Sequence, residues 1–195
     1  MKTDQKLPQL AYSRGVQMLW TVVGVGSAVV AAVLSGAAAP VTSQDAGRVA
    51  RQPGTLSITV PATASFGSAF AGSSLSRQLG EVRVLDRRGG QNTVWTATVS
   101  ATDFTTPGGG AARQISRSQF SYWSGQAVTT DGGGTRVPGQ ATSAQAQSLS
   151  VPRTAFRKTS GNGNNTTGWL PTLIVAVPVT AVGGTYTGTI THSVA

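Results

Sequence analysis

Cysteine is missing from the 195-residue chain, and histidine occurs once, as His192. The first absence excludes disulfides, a thiol nucleophile and a cysteine zinc site, and the second excludes a metal site built from several histidines. Glutamate also occurs once, and 11% of the residues are charged, less than half of the usual ~25%. This composition excludes a helical bundle and a coiled coil, and the sequence predicts no metal or organic cofactor.

Alternation of apolar and polar residues dominates the chain from Leu56 onward, and it predicts strands. The predicted strands are 56–60, 82–84, 95–101, 120–122, 149–151, 173–179 and 185–194. The segments between them are rich in glycine, for example 105–110, 131–134 and 160–168, and are typical of turns. No segment after residue 40 has helical spacing over eleven residues. Residues 55–195 are therefore predicted to form an all-β domain, an antiparallel β-sandwich.

The N-terminal part has the order of a secretory signal peptide: a basic start, an uncharged run from Val16 to Leu34, and small residues after it. We predict a signal peptide helix over residues 1–39, cleaved after Ala37 or Ala38, and a disordered linker over 40–54. The alternative is a retained anchor, since a bilayer is spanned by ~20 residues. Membrane contact is expected only through 16–34, if the signal is not cleaved. Both alternatives place the domain outside the cytoplasm.

The net charge is +9, and the cations after residue 39 are almost all arginine. They are scattered along the chain, whereas nucleic-acid-binding proteins usually gather them on one helix or stripe. Nucleic-acid binding is therefore not predicted. Attraction to an anionic cell wall or membrane surface fits this distribution better.

Residue types that carry catalysis are scarce. His192 is the one general base expected at neutral pH, and its place in a predicted strand favours a packing role. No Gly-x-Ser-x-Gly elbow accompanies it, and the acidic residues form no recognisable pair for glycoside hydrolysis. The sequence predicts a protein that is not an enzyme.

Two segments resemble the WxL surface domain of Gram-positive bacteria. The first runs from Val84-Leu-Asp-Arg-Arg-Gly89 to Trp95-Thr-Ala97, where Ala97 stands at the Leu position of the Trp-x-Leu motif. The second is at the C-terminus, where Tyr186, Ile190, Thr191 and Val194 match Tyr-x-x-x-Leu-Thr-Trp-x-Leu and His192 replaces the Trp. The resemblance spans roughly residues 55–195. The arginine, alanine and valine bias is typical of a GC-rich genome such as an actinobacterium's.

The resemblance implies export, a β-rich fold and non-covalent attachment to peptidoglycan. It also implies partnership with other exported surface proteins. The motif positions that it marks for binding are Trp95, Ala97, Tyr186, Ile190 and His192.

The aromatic residues themselves allow two roles. Trp95 shares a strand face with apolar residues, which favours a core anchor, and a sugar-stacking ring is the alternative. Tyr186 has the same two roles open to it. Tyr122, Trp123 and Trp169 lie beside turns and are candidates for exposed recognition, because loops commonly carry binding.

The sequence therefore predicts a secreted, non-catalytic, cell-wall-associated protein that binds peptidoglycan or another wall polymer. The alternative is a structural or adhesive subunit of a surface assembly, pilus-like or in a matrix, that pairs strand edges with its neighbours.

Overall fold

Short strands and tight turns form nearly all of the computed structural model, which describes the backbone of residues 16–26 and the whole of residues 54–195. The strands are β1 Val16–Gly26, β2 Leu56–Thr59, β3 Thr63–Ala69, β4 Ser74–Gln78, β5 Val82–Asp86, β6 Trp95–Ala101, β7 Phe104–Thr105, β8 Gln114–Ile115, β9 Phe120–Trp123, β10 Ala127–Asp131, β11 Arg136–Pro138, β12 Gln147–Ser148, β13 Arg153–Lys158, β14 Asn165–Trp169, β15 Thr172–Ala176 and β16 Thr185–Val194. Three short 3-10 helices cover Ala111–Arg113, Arg117–Gln119 and Ser143–Gln145.

The all-β prediction is confirmed, and most predicted strands are present. The alternating segments correspond to β2, β5, β6, β9, β15 and β16. The predicted strand at 149–151 is wrong, because the chain turns there directly after β12. Leu149 is nevertheless part of the hydrophobic core, and its amide donates to the carbonyl of Phe120 at 2.8 Å as the chain turns.

The strands form three sheets. The largest has the order β11-β13-β6-β16-β1-β3, with β7 also paired to β16 and β8 paired to β7. The second has the order β10-β14-β5-β2, and the third has the order β12-β9-β15-β4. Neighbouring strands are antiparallel throughout the described part of the chain, except that β1 runs parallel to β16.

Aromatic side chains join the large sheet to both smaller ones. Phe156 on β13 stacks on Trp169 of β14 with ring centroids 5.0 Å apart, and Phe104 on β7 meets Phe120 of β9 at 4.5 Å. All four rings are fully buried. Burial of large apolar side chains at ~1.5–3 kcal/mol each is the main stabilising contribution here. The result is a sandwich-like packing around one core.

Of the predicted signal peptide, residues 1–39, the structure describes 16–26 alone, as the extended strand β1. The rest of that segment and residues 40–53 of the predicted linker lie outside the described residues. Cleavage and export therefore stay predictions. Within the described part, no helix is long and apolar enough to cross a membrane.

Candidate functional site

The five motif positions are all inaccessible from the surface. Trp95 is 2% exposed, and Ala97, Tyr186, Ile190 and His192 are 0% exposed. Their strands β6 and β16 are antiparallel neighbours, and they place Ala97 opposite Val194. The structure thus brings the two motifs together, but on the inward face of the sheet. A polymer at the surface cannot touch these side chains, so we assign them a structural role.

Tyr122 lies at the centre of a buried polar network that links all three sheets. Its hydroxyl accepts a hydrogen bond from Trp169 Nε1 at 3.2 Å and lies 3.2 Å from His192 Nε2. The three residues stand on β9, β14 and β16, and all are fully buried. The prediction that Tyr122 and Trp169 are exposed is therefore wrong. Trp169 belongs to β14, a strand in the middle of its sheet, and not to the glycine-rich loop before it. Tyr122 faces inward from β9.

The protonation of His192 follows from this geometry. Burial lowers its pKa from 6.5 to about 3, so the ring is neutral at physiological pH. Either the Tyr122 hydroxyl or His192 Nε2 donates the hydrogen bond between them, depending on which ring nitrogen carries the proton. His192 Nδ1 is buried and has no hydrogen-bond partner among the described residues. Burial also raises the pKa of Tyr122. Buried networks of neutral hydrogen-bonding groups, such as this one, favour one particular packing of the sheets.

A second buried network begins at the other motif residue, Trp95. Its Nε1 donates to Asn165 Oδ1 at 3.4 Å, and Asn165 Nδ2 donates to Asp86 Oδ2 at 3.4 Å. Arg88 closes the network with a two-pronged ion pair, Nε to Oδ1 at 2.9 Å and Nη2 to Oδ2 at 3.0 Å. Burial alone would raise the pKa of Asp86, but the hydrogen bonds and charge of Arg88 outweigh it and lower that pKa.

Lys158 is buried beside this network. Its Nζ donates to the carbonyls of Thr93 at 2.7 Å and Asn162 at 2.9 Å. Burial lowers the pKa of Lys158, while the negative charge of Asp86 opposes that shift. Asp86 and Arg88, where β5 runs into its charged turn, therefore tie neighbouring strands together.

Trp123 differs from the other two aromatic candidates because it is half-buried. It follows Tyr122 on β9, pairs with Thr172 of β15, and has Gly125 beside its ring. Its partial exposure would allow contact with a ligand. Trp123 has no charged partner among the described residues.

A cleft on the described surface lies along β13, with a volume of about 370 Å³. Arg153, Thr154 and Arg157 form one wall, and the segment 138–140 with Gln147 and Pro152 completes it. A bulge in the pairing of β13 with β6 between Thr154 and Phe156 turns two successive residues inward. Such bulges re-aim neighbouring side chains, and here Thr154 and Arg157 are left facing solvent.

The cleft has a positive lining. Arg153 is half-buried and anchored by Nε to the carbonyl of Ser148 at 2.8 Å. The Arg157 side chain is exposed and makes no hydrogen bond or ion pair with another described residue. Beneath them, Gln140 is 2% exposed and donates through Nε2 to the carbonyl of Thr154 at 3.1 Å. No carboxylate lines the cleft, so its two guanidinium groups suit a carboxylate or phosphate ligand.

No motif or spacing in the sequence predicts this cleft. Its lining comes from three separate parts of the chain, namely residues 138–140, Gln147 and residues 152–157. Only the composition points to such a site. Arginine outnumbers the acidic residues, so some guanidinium groups must lack an acidic partner.

Comparison with known proteins adds no family. No protein-family model matches the chain, and no curated protein matches it with significant similarity. The resemblance to WxL domains therefore depends on the motif residues alone and stays a prediction.

Proposed function

We propose that this protein is an exported, non-enzymatic surface protein that binds an anionic polymer of the cell wall non-covalently, with peptidoglycan as the first candidate. The observation that carries the proposal is the cleft along β13, where Arg153 and Arg157 meet no carboxylate. Peptidoglycan stem peptides carry carboxylates, and other wall polymers carry phosphates. Both are ligands that guanidinium groups hold well.

The position of the arginines supports binding over a merely solvated charge. β13 lies between β11 and β6 in the large sheet, so its backbone is held on both sides. Arg153 is fixed further by its bond to Ser148. A rigid support lowers the entropy lost when a ligand is bound. The excess positive charge of the whole chain adds long-range attraction to an anionic wall.

The test is co-sedimentation of the purified protein with isolated cell walls. The double variant Arg153→Gln/Arg157→Gln removes both guanidinium groups from the cleft. The matched control Arg87→Gln/Arg117→Gln removes the same charge from two exposed arginines elsewhere. We expect the cleft variant to lose most of its binding at physiological salt and the control to keep it. Equal loss in both variants would contradict a cleft and leave only bulk charge.

A second candidate function is a structural or adhesive subunit that pairs strands with neighbours. The observation that favours it is the place of β1, which fills a position between β16 and β3. A strictly monomeric protein in light scattering at high concentration would count against this candidate.

A further inference from the structure

Strand β1 occupies a gap that is one strand wide. On one side it runs parallel to β16 in a ladder from Gln17 opposite Thr185 to Gly26 opposite Val194. On the other side it is antiparallel to β3, from Val16 opposite Ala69 to Thr21 opposite Thr63. Among the described strands, β3 pairs with β1 alone. We call the gap between β16 and β3 the acceptor slot.

The β16 wall of the acceptor slot is held without β1. Its other edge pairs with β6 along residues 190–194 and with β7 at Thr187. Its inward residues Tyr186, Ile190 and His192 are buried in the core. Tyr186 Oη is also bonded to the carbonyls of Val182 at 2.9 Å and Ala112 at 3.0 Å.

The β3 wall is anchored by a bulge. The register with β1 shifts between Met18 and Leu19, which pair with Gly67 and Ser65, so Phe66 is the extra residue. Gly67 has a φ of 84°, a conformation that glycine adopts without strain. The bulge directs Phe66 into the core, where it is 0% exposed, and Arg77 Nε donates to its carbonyl at 3.2 Å.

The residues of β1 also belong to the apolar run of the predicted signal peptide. The same segment therefore cannot both stay in the sheet and be removed by cleavage. Cleavage after Ala37 or Ala38 would remove β1 and leave two facing strand edges with unpaired backbone N–H and C=O groups. Such edges bind further strands readily.

We propose that the acceptor slot is a strand-binding site, filled in the processed protein by an extended, uncharged segment of another exported polypeptide. The inference rests on the export and cleavage proposed above. It deepens the second candidate function by naming the surface and the partner chemistry. The chemistry is that of the segment seated there now, since residues 16–26 carry no charged side chain. Backbone hydrogen bonds to both walls would supply the affinity, as in other strand-addition complexes.

The test uses the full chain with its own strand disabled. The variant Leu19→Pro/Val22→Pro removes two backbone donors of opposite parity, so both ladders of β1 are damaged. A fluorescently labelled peptide with the sequence of residues 16–26 is the probe. We expect saturable binding to this variant and at least ~10-fold weaker binding to the unmodified chain, where the tethered strand competes at mM effective concentration. A labelled peptide carrying the same two prolines should not bind.

Equal peptide binding to the two chains, no binding to the variant, or equal binding of the proline peptide would each overturn the proposal. If the variant does not fold, cysteine pairs in the full chain test the slot instead. Thr21→Cys/Thr189→Cys joins register partners, and the chain has no other cysteine. Thr21→Cys/Thr185→Cys is the control, four residues out of register. A disulfide in the first pair and not the second is expected, since bridging needs Cα atoms within ~7 Å. Any other pattern overturns the slot.

These results are independent of the wall-binding test, because the cleft variants leave β1 and both slot walls unchanged. Loss of wall binding with intact peptide binding would remove the cleft and keep the slot. Intact wall binding without peptide binding would do the reverse.

Discussion

Acidification should destabilise the folded domain through His192, well above the pH at which carboxylates titrate. In the unfolded chain the ring takes up a proton near its ordinary pKa of 6.5, whereas in the folded domain burial lowers the pKa to about 3. Between these values the unfolded state binds more protons, so stability falls as pH falls. From about pH 7.5 to about pH 5 the loss is ~2 kcal/mol, and it approaches ~5 kcal/mol only below about pH 3, with a slope of about 1.4 kcal/mol per pH unit between the two pKa values.

Urea unfolding followed by tryptophan fluorescence measures this directly. The matched control is His192→Gln, which keeps a hydrogen-bonding end but does not titrate. Because His192 is the one histidine of the chain, we expect the wild-type loss of ~2 kcal/mol between about pH 7.5 and about pH 5 to be nearly absent in the control. Equal pH dependence in the two proteins, or a wild-type midpoint that does not move, would refute the burial of a neutral ring.

Three further changes test the two networks and the core. Tyr122→Phe should lower the free energy of unfolding by ~2 kcal/mol, since it leaves Trp169 Nε1 buried without its partner; an unchanged urea midpoint would contradict the network. Lys158→Met should cost ~2 kcal/mol by leaving two carbonyls unpaired, and a variant as stable as wild type would show that the ammonium contributes nothing. Gly188→Ala should cost ~2 kcal/mol or more, because its Cβ would overlap the buried Phe104 ring. Normal thermal unfolding of that variant would disprove the close approach.

Strands with one buried and one solvated face could be predicted from the sequence, because their alternation records the burial directly. β6 has the predicted bounds, and β16 presents the predicted inward residues Tyr186, Ile190 and His192. Strand β14 could not be predicted from alternation. Its sequence Asn-Thr-Thr-Gly-Trp is typical of a turn, but four of the five residues are buried.

The physical reason is that β14 buries polar residues that have partners. Asn165 bonds Asp86 and Trp95 across two sheets, and Thr167 Oγ1 accepts from Arg136 Nε at 2.8 Å. Partners so distant along the chain cannot be recognised in a single sequence. The cleft could not be predicted for a similar reason, because its walls meet only when β11 pairs with β13.

The residues that carry the family resemblance are not the residues that form the proposed contact surfaces. Trp95 and Tyr186 are large, fully enclosed side chains whose polar atoms are used inside the domain. They fix the sheets that carry the cleft and the acceptor slot. The contact surfaces proposed here are therefore formed by other residues than the ones that the motifs mark.

The most direct test of wall attachment through the cleft is an NMR titration of the folded protein with soluble peptidoglycan fragments. The account predicts amide shifts that saturate and cluster on β13 and on residues 138–140, and their loss in the Arg153→Gln/Arg157→Gln variant. No shifts at saturating fragment, or shifts centred on other strands and unaffected by that variant, would contradict it.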